Sequence, residues 1–270
     1  MPEGPEIRRA ADRLAKAVIG KPLIEVFFAP AALKHHQQAL VGRCIASIAS
    51  RGKALLTRFD NGWTLYSHNQ LYGVWQVVDA GARPDSNRSL RVALATSTCA
   101  ILLYSASDIS MWRTVELWRH PFLSKLGPDV LDPSVTVDVV GARFSDPRFA
   151  RRSLAVLLLD QGFLAGMGNY LRSEVLFQAG LMPQRCPADL DADERDRLAF
   201  ALLDVPRRSY RSRGIRRTDG MKPDYVTSTA TGFRMQAFGH AGEPCPRCGD
   251  MLVRREIAGR RLYLCAGCQH

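Results

Sequence analysis

The 270-residue sequence lacks a long apolar run. Its longest runs, such as residues 154–159, are far shorter than the ~20 residues that a membrane-spanning helix needs. The N-terminus carries charged side chains where a secretory signal would place its apolar segment. These absences exclude a membrane-spanning protein and a secretory signal, and we therefore expect a cytoplasmic chain.

Lysine and acidic residues are also scarce. Lysine supplies only six of the 37 basic residues, and 26 acidic residues leave a net charge of +11. The excess is uneven, because residues 201–270 carry a net charge of +7 and residues 1–200 carry +4. A basic C-terminal region favours a polyanionic partner, although a solvated, solubilising surface would have the same composition.

The remaining composition is that of a globular protein. Hydrophobic residues make up 46% of the chain and charged residues 23%, which excludes a disordered chain. At ~150 residues per domain, the length predicts about two domains.

Four of the seven cysteines lie near the C-terminus, in two C-x-x-C pairs separated by 16 residues. This spacing predicts a four-thiolate zinc ribbon whose closed coordination makes the metal structural. Two disulfides are disfavoured in a cytoplasmic protein. Between the pairs, residues 251–264 predict a hairpin that turns near Ala258 and Gly259. The expected ligands are Cys245, Cys248, Cys265 and Cys268.

The first 125 residues predict a β-rich domain that begins with a helix. Apolar residues at spacings of three and four predict the helix over residues 3–19. Short β-like runs separated by turn residues then predict a sandwich or a barrel. These runs cover residues 23–28, 44–48, 54–59, 63–66, 74–78, 90–95 and 100–104.

The second half of the chain changes to a helical period. Residues 126–133 predict an interdomain linker, residues 134–232 a helical domain and residues 233–270 the zinc ribbon. Asp191 and Glu194 have the spacing of a capping box. Residues 206–232 are rich in arginine and weakly periodic, which predicts a loop beside a polyanion. The predicted helices cover residues 135–144, 149–159, 169–178 and 192–205.

The N-terminus carries a candidate nucleophile. Removal of Met1 would make Pro2 a free secondary amine, which can attack a carbonyl-like carbon and form an iminium ion. Glu3 is placed to act as a general acid or base beside it. An ordinary helix start, with Pro5 in the first turn, explains the same residues.

Four motifs in order resemble the formamidopyrimidine-DNA glycosylase / endonuclease VIII family. They are the opening Met-Pro-Glu-Gly-Pro-Glu, Arg51-Gly-Lys-Ala-Leu-Leu, Gly166-Met-Gly-Asn-Tyr-Leu and the terminal four-cysteine ribbon. The resemblance covers the whole chain apart from residues 206–232. Gly4 and the stretch Ser67-His-Asn-Gln-Leu-Tyr-Gly resemble the bacterial endonuclease VIII branch.

The resemblance implies an α+β multidomain fold. Its parts are an N-terminal β-sandwich with an N-terminal helix, a helical helix-two-turn-helix domain and a C-terminal four-cysteine zinc ribbon. It also implies a bifunctional DNA glycosylase and AP lyase of base excision repair, which removes oxidised, mainly pyrimidine, bases and cleaves the strand by β,δ-elimination. The implied partner is damaged double-stranded DNA, and no nucleotide cofactor is expected. The cysteine spacing supplies the expectation of one structural Zn²⁺, the short apolar runs that of no membrane, and a monomer is taken as the default. Nucleoid association would follow from DNA binding alone.

By the same resemblance, Pro2 is the nucleophile at the sugar C1′ and Glu3 the proton donor and acceptor. Lys53 contacts the phosphate next to the lesion, while Glu6 and Glu174 support the site. Without the resemblance, Lys53 would be interpreted as a surface cation of a hairpin turn, and Glu174 as a solvent-facing helix residue.

The resemblance further implies DNA contacts from Asn169, Arg260 and the Gln70-Leu71-Tyr72 stretch. A helix N-terminus with a side-chain amide is itself a phosphate site, although Asn169 is also explained as a plain N-cap. Arg260 or its neighbour Arg261 would grip a phosphate bidentately. Leu71 and Tyr72 would fill the gap left by a flipped base, whereas the residue pattern alone favours side chains that face the core.

Three other functions stay open at this point. A zinc-ribbon DNA-binding protein without chemistry would have no use for a free Pro2 amine. An oxidised-purine glycosylase, of the formamidopyrimidine branch of the same family, would use the same mechanism on a different class of damaged base. A metal-dependent nuclease needs an acidic and histidine cluster with open coordination, and the six histidines are scattered along the chain.

Overall fold

The computed structural model describes residues 2–212, 214–216, 226–227 and 232–270. Its contacts divide into two compact units. The first comprises Pro2 and Glu6–Ser124, and the second comprises Glu3–Pro5 and Lys125–His270. Within the described ranges, no helix is both long and apolar enough to cross a bilayer.

The first unit contains a helix followed by a β-sandwich. Two four-stranded antiparallel sheets have the strand orders β1-β6-β7-β5 and β2-β3-β4-β8. The elements are α1 Gly4–Val18, β1 Glu25–Phe28, α2 Gln37–Leu40, β2 Ile45–Arg51, β3 Ala54–Phe59, β4 Trp63–His68, β5 Val74–Asp79, β6 Leu90–Ala95, β7 Cys99–Tyr104 and β8 Asp108–Arg113.

One hydrophobic core holds this unit together. Ile7 and Leu14 of α1 pack with Leu65 of one sheet and Ile101 of the other, and each of these side chains is at most 1% exposed. The structure therefore confirms the sandwich and excludes a barrel. Strand β8 was not predicted from the sequence, and its residues are half-buried apart from the exposed Arg113.

The second unit is helical and ends in a hairpin. Its elements are α3 Val137–Phe144, α4 Leu154–Leu157, α5 Asn169–Ala179, α6 Ala192–Arg211, β9 Ile215–Arg216, β10 Val226–Thr227, β11 Val253–Ile257 and β12 Arg260–Leu264. The predicted capping box is confirmed, since Glu194 N donates to Asp191 Oδ1 at 2.8 Å and Asp191 N donates to Glu194 Oε2 at 3.0 Å.

Two predictions about this unit are wrong. The helix expected over residues 149–159 is confined to Leu154–Leu157. The loop expected from residue 206 does not begin there, because α6 continues through Pro206 to Arg211. Pro206 is buried, and its packing overrides its poor helix propensity.

Arg207 illustrates why the charge pattern was misleading. Its guanidinium donates to the main-chain carbonyls of Val130, Asp132 and Val135 at 2.7–3.3 Å. It therefore ties α6 to the 130–135 segment instead of facing a polyanion. Of the other arginines in the predicted loop, Arg213 and Arg217 lie outside the described residues, as do positions 218–225 and 228–231.

The segment expected as a linker, residues 126–133, is packed within the second unit. Gly127 N donates to Gln161 O at 2.9 Å, and Val130 N donates to Ala165 O at 3.1 Å. Val130 itself is fully buried in the helical core. A Cβ on Gly127 would lie 2.5 Å from Phe163 O, so only glycine permits this close approach.

Candidate active site and metal centre

Four thiols form a compact cluster at the end of the second unit. The Sγ atoms of the four predicted ligands all lie within 4.8 Å of one another. Cys245 and Cys268 are 3.7 Å apart, and Cys248 and Cys265 are 3.5 Å apart. A tetrahedral zinc site with Zn–S bonds of about 2.3 Å requires sulfur separations of about 3.8 Å. The donor set therefore fits one structural Zn²⁺.

The hairpin beside this cluster is confirmed with its predicted turn. Ile257 pairs with Arg260, and the two turn residues, Ala258 and Gly259, have φ values of +54° and +67°. Positive φ at both positions is typical of a type I′ turn. Leu262 and Leu264 are buried in the helical core, so the metal cluster and the core together position the hairpin.

Glu3 lies at the N-terminus of helix α5. Its Oε1 accepts a hydrogen bond from Tyr170 N at 2.8 Å, and its Oε2 accepts one from Leu171 N at 3.3 Å. The side chain is 2% exposed. The unpaired N–H groups and the dipole at a helix N-terminus stabilise a carboxylate in this position. Glu3 is therefore held in one orientation and retains the capacity to accept a proton.

Glycines permit this approach of the N-terminal residues to α5. Gly4 N donates to Gly166 O at 2.9 Å, and a Cβ on Gly4 would lie 3.0 Å from Gly166 Cα. Gly166 has φ +97°, which side chains disfavour. A Cβ on Gly168 would lie 2.2 Å from Glu3 Cδ. The Gly-x-Gly before α5 thus makes room for Glu3.

Asn169 and Arg172 connect the start of α5 to the hairpin. Asn169 Nδ2 donates to Arg261 O at 2.7 Å, and Arg172 Nη2 donates to Asn169 Oδ1 at 2.7 Å. Asn169 is the first residue of α5, and Gly168 is its N-cap, so the plain N-cap interpretation of Asn169 is wrong. Arg172 was not predicted as a site residue, because the pattern of apolar residues in a helix does not indicate that an arginine is fully buried.

Arg172 and Arg260 both carry positive charge near the start of α5. Burial, reinforced by the positive charge of Arg260, lowers the pKa of Arg172 to about 10, and Glu3 opposes the shift. Arg260 is exposed, and in a strand its side chain shares a face with Leu262. The main-chain carbonyl of Arg261 accepts the hydrogen bond from Asn169 Nδ2. These observations favour Arg260 over Arg261 as the arginine that faces the start of α5.

Glu174 lies one turn further along α5 and is 3% exposed. Its carboxyl group accepts hydrogen bonds from the main-chain N–H groups of Gln236, Ala237 and Phe238 at 2.8–2.9 Å. Burial raises the pKa of Glu174, and these three donors oppose the shift. The solvent-facing interpretation is wrong, since this carboxyl group anchors the 236–238 segment.

In the first unit, the predicted residues near the N-terminus are buried. Pro2 is buried, and Glu6 is 4% exposed and accepts a hydrogen bond from Arg9 Nη2 at 2.6 Å. Lys53 occupies the two-residue turn between β2 and β3, after Gly52 with φ +58°. Its exposure of 7% contradicts the interpretation as a surface cation.

The Gln70-Leu71-Tyr72 stretch forms an exposed turn between β4 and β5, which we call the wedge turn. Leu71 is 45% and Tyr72 63% exposed, so they do not face the core. Gln70 has φ +50°, and its N–H donates to His68 Nδ1 at 3.0 Å. A Cβ on Gly73 would lie 2.6 Å from Asn69 O, which requires glycine there.

Strand register places the Lys53 turn and the wedge turn at one end of the same sheet. Ala54, which follows Lys53, pairs with His68, which precedes the wedge turn. Burial lowers the pKa of His68, Asp108 opposes the shift and nearby Lys53 reinforces it. The sequence missed His68 as a support of the wedge turn, because histidine carries no signal of its hydrogen-bond partner.

Three family models match the chain and together cover most of it. They are the formamidopyrimidine-DNA glycosylase N-terminal domain over residues 1–106, the H2TH domain of the same enzyme over 126–218, and a zinc finger found in FPG and IleRS over 242–270. The third match covers all four cysteines of the metal cluster.

Curated relatives and solved structures match over the full length. Endonuclease 8 of Escherichia coli and that of Shigella sonnei are each 53% identical over 270 residues, which is 100% of both chains. Lactococcus lactis Fpg in complex with DNA containing N7-benzyl-Fapy-dG gives a TM-score of 0.85 at 20% identity over 100% of both chains. The same protein with DNA containing an oxidised pyrimidine gives 0.84 at 20% identity, again over 100% of both chains.

Proposed function

Because the chain belongs to the formamidopyrimidine-DNA glycosylase family, we propose that it is a bifunctional DNA glycosylase and AP lyase that removes oxidised pyrimidines through the amine of Pro2. The matches confirm the resemblance that four motifs predicted. The main structural support for this mechanism is the position of Glu3. Its carboxylate is fixed on the N-terminus of α5 and is adjacent in the chain to Pro2.

The proposed chemistry begins once Met1, which lies outside the described residues, has been removed. The Pro2 nitrogen attacks C1′ of the damaged nucleotide, the glycosidic bond breaks, and the base leaves with the bonding electron pair and takes a proton from water. The Glu3 carboxylate takes the N–H proton that Pro2 loses and gives it to the sugar ring oxygen as the C1′–O4′ bond opens to an iminium ion. The iminium acidifies the C2′ hydrogen, which Glu3 then accepts.

Strand cleavage follows from the same iminium ion. Loss of the C2′ proton expels the 3′ phosphate by β-elimination, and a second elimination expels the 5′ phosphate. Hydrolysis of the remaining iminium ion releases Pro2. Each step is a proton transfer or a bond cleavage that Pro2 and Glu3 can serve, and Glu6 and Glu174 support the site from buried positions.

Lys53, Asn169 and Arg260 are proposed to hold DNA phosphates while the damaged base is out of the stack. Flipping costs a few kcal/mol and is less costly for a damaged base, which pairs poorly. The exposed Leu71 and Tyr72 of the wedge turn suit the gap that the base leaves, with Gln70 at its edge. A DNA-binding protein without chemistry would not need the buried, helix-bound Glu3.

The proposed preference for oxidised pyrimidines is supported by the Endonuclease 8 relatives. The two Endonuclease 8 sequences match the whole chain at 53% identity, and the Gly4 and Gln70-Leu71-Tyr72 motifs resemble that branch. The 20% identical Fpg structures support only the shared fold.

Borohydride trapping tests the proposal. Duplexes carrying one thymine glycol, one 8-oxoguanine opposite cytosine or no lesion are incubated with protein that lacks Met1 and holds zinc. We expect a covalent adduct on thymine glycol that is lost in Pro2→Gly, and loss of base release in Glu3→Gln with the fold intact.

The other outcomes are equally informative. An adduct mainly on 8-oxoguanine would keep the mechanism and overturn the pyrimidine preference. No adduct on any duplex would overturn the amine mechanism, and wild-type turnover by Pro2→Gly would overturn the assignment of Pro2. Circular dichroism and zinc content of each variant show that it has folded.

A further inference from the structure

The first unit contains a basic pocket that the proposed steps do not use. It has a volume of about 450 Å³. Acidic side chains are absent from its lining as far as the chain is described. The polar lining consists of Tyr72, Arg88, Ser89, Arg91, Ser105 and Ser107.

A β-bulge directs Arg91 to this pocket. Strand β6 pairs with β7 through Leu90 opposite Tyr104 and then Val92 opposite Leu103, so Arg91 is the extra residue. Bulges of this kind re-aim a side chain, often beside a functional site. The Nε of Arg91 is buried and has no hydrogen-bond partner among the described residues. The guanidinium therefore retains donor capacity that a ligand in the pocket can use.

The hydroxyls of Ser89 and Ser105 add neutral donors to the same lining. Ser105 has φ +54°, a strained value for a residue other than glycine, and its N–H donates to Ser89 O at 2.9 Å. Backbone strain of this kind persists where the surrounding structure holds it in place, and it clusters at functional sites. Together the arginines and the serines form a donor-rich lining.

We infer that this pocket binds a phosphodiester group of the DNA backbone beside the wedge turn. Guanidinium groups and hydroxyls are the side-chain donors that hold phosphate oxygens in protein–DNA contacts. The inference rests on the proposed function, because the phosphate belongs to the DNA that the wedge turn would enter.

The pocket is connected to both ends of the wedge turn. Arg88 Nη1 donates to the main-chain carbonyl of Tyr72 at 3.3 Å, and Ser107 Oγ donates to Gln70 Oε1 at 2.8 Å. A phosphate held by Arg88 and Arg91 would fix the turn relative to the DNA backbone. Arg91 is therefore a positioning residue, which acts on the reaction through the wedge turn.

The test compares salt dependence between variants. Binding to a duplex with a tetrahydrofuran abasic-site analogue is measured for wild type and Arg91→Ala over a salt series. Loss of one phosphate contact is expected to weaken binding roughly tenfold at 0.1 M salt and to reduce the slope of log K against log [salt] by about 0.9. Arg91→Lys keeps the charge and is expected to restore the slope.

Arg58→Ala is the matched control, because Arg58 is exposed on β3 and does not line the pocket. Its slope is expected to equal that of the wild type. A wild-type slope in Arg91→Ala, with Tm showing that the variant is folded, would overturn the inference. A reduced slope in Arg91→Lys would also overturn it, since the charge is then not what matters.

Single methylphosphonate substitutions identify the strand. At the contacted phosphate, the substitution is expected to weaken the wild type and to leave Arg91→Ala unaffected. The contacted phosphate lies either in the damaged strand or in the opposite strand. If no phosphate of either strand shows this behaviour, the inference is overturned. Wild-type protein that binds the analogue no better than undamaged DNA would instead overturn the proposed function, together with the inference that rests on it.

Discussion

At the scale of single residues, Gly168 leaves room for the side chain of Glu3. Its φ of −144° is accessible to any residue, so no backbone strain calls for glycine. The requirement comes from Glu3, whose Cδ occupies the space that a Cβ would take. Since the atoms in the way belong to the end of a flexible side chain, a substitution would move Glu3 and leave the fold largely intact.

Gly168→Ala is therefore expected to retain the fold and to lose activity. A displacement of Glu3 by about 1 Å would lower the rate of base release about 100-fold. Single-turnover kinetics on a thymine glycol duplex measure this loss, with Tm as the check on folding.

Gly141→Ala is the control for Gly168→Ala. Gly141 lies in α3, where a Cβ would meet nothing within 4 Å, and the substitution is expected to add up to about 1 kcal/mol of stability. Wild-type activity in Gly168→Ala would show that the placement of Glu3 does not matter.

His68 makes the wedge turn sensitive to acid. Its Nδ1 accepts the N–H of Gln70, which only the neutral ring can do. Burial lowers the pKa of His68 in the folded protein. The unfolded chain therefore takes up the proton first as the pH falls below 6.5, and the folded state loses stability in that range.

His68→Asn is expected to reduce this acid sensitivity, because the Asn oxygen can accept the same N–H without titrating. The measurement is the fall in Tm between pH 7 and pH 5, which should be smaller in His68→Asn than in the wild type. His35→Asn, at an exposed position, is the comparison variant. An equal fall in both variants and the wild type would contradict the role of His68.

At the scale of elements, helix α5 and the hairpin β11–β12 depend on each other. Tyr263 N donates to Ser173 Oγ at 3.3 Å, and Arg247 Nη1 donates to Phe177 O at 2.8 Å. A small ribbon cannot fold on apolar burial alone, so metal binding supplies much of its folding free energy. Loss of the metal would therefore remove Arg260 and the Arg261 carbonyl from the start of α5.

Removal of zinc is expected to weaken specific DNA binding. Cys268→Ser should lower the zinc content below one atom per chain. Binding to the abasic-site analogue should weaken by about tenfold or more, because the proposed phosphate contact of Arg260 is lost with the metal. Zinc content is measured by atomic absorption, and binding by fluorescence anisotropy.

Cys44→Ser is the control for Cys268→Ser, since Cys44 lies outside the metal cluster. It should keep both zinc and affinity. Full affinity in a zinc-free Cys268→Ser protein would show that the ribbon holds its shape without the metal.

At the scale of the whole molecule, the net charge of +11 does not report where DNA binds. The Arg207 guanidinium donates hydrogen bonds to main-chain carbonyls, and Arg172 is fully buried. Only specific cations are proposed to meet phosphates, among them Lys53 and Arg260. Affinity should therefore follow the loss of these specific cations and not the loss of charge in general.

Lys53→Ala and Arg260→Ala are each expected to reduce the slope of log K against log [salt] by about 0.9. Phosphate contacts carry no sequence information, so binding to damaged and undamaged duplexes should weaken alike. Anisotropy titrations from 50 to about 200 mM salt measure both quantities. Slopes that equal the wild-type slope would remove both residues from the phosphate contacts.

The sequence by itself determined the metal site, most strands and the candidate nucleophile. The cysteine spacing, the order Pro2–Glu3 and the turn at Ala258 and Gly259 depend on covalent order and local conformation, which short motifs record. The end of α6 was misjudged for the opposite reason. Local propensity stops a helix at Pro206, while the burial of that residue allows the helix to continue.

Only the tertiary structure decided which groups meet. Glu3 and Tyr170 are 167 positions apart, and Asn169 and the Arg261 carbonyl are 92 apart. The bulge that directs Arg91 into its pocket likewise depends on the register between two strands. Apolar periodicity determines which face of an element is buried, but it does not specify the partner of that face. Those partners are chosen by packing of the whole chain, and they place the carboxylate, the amide and the cations on which the proposed chemistry depends.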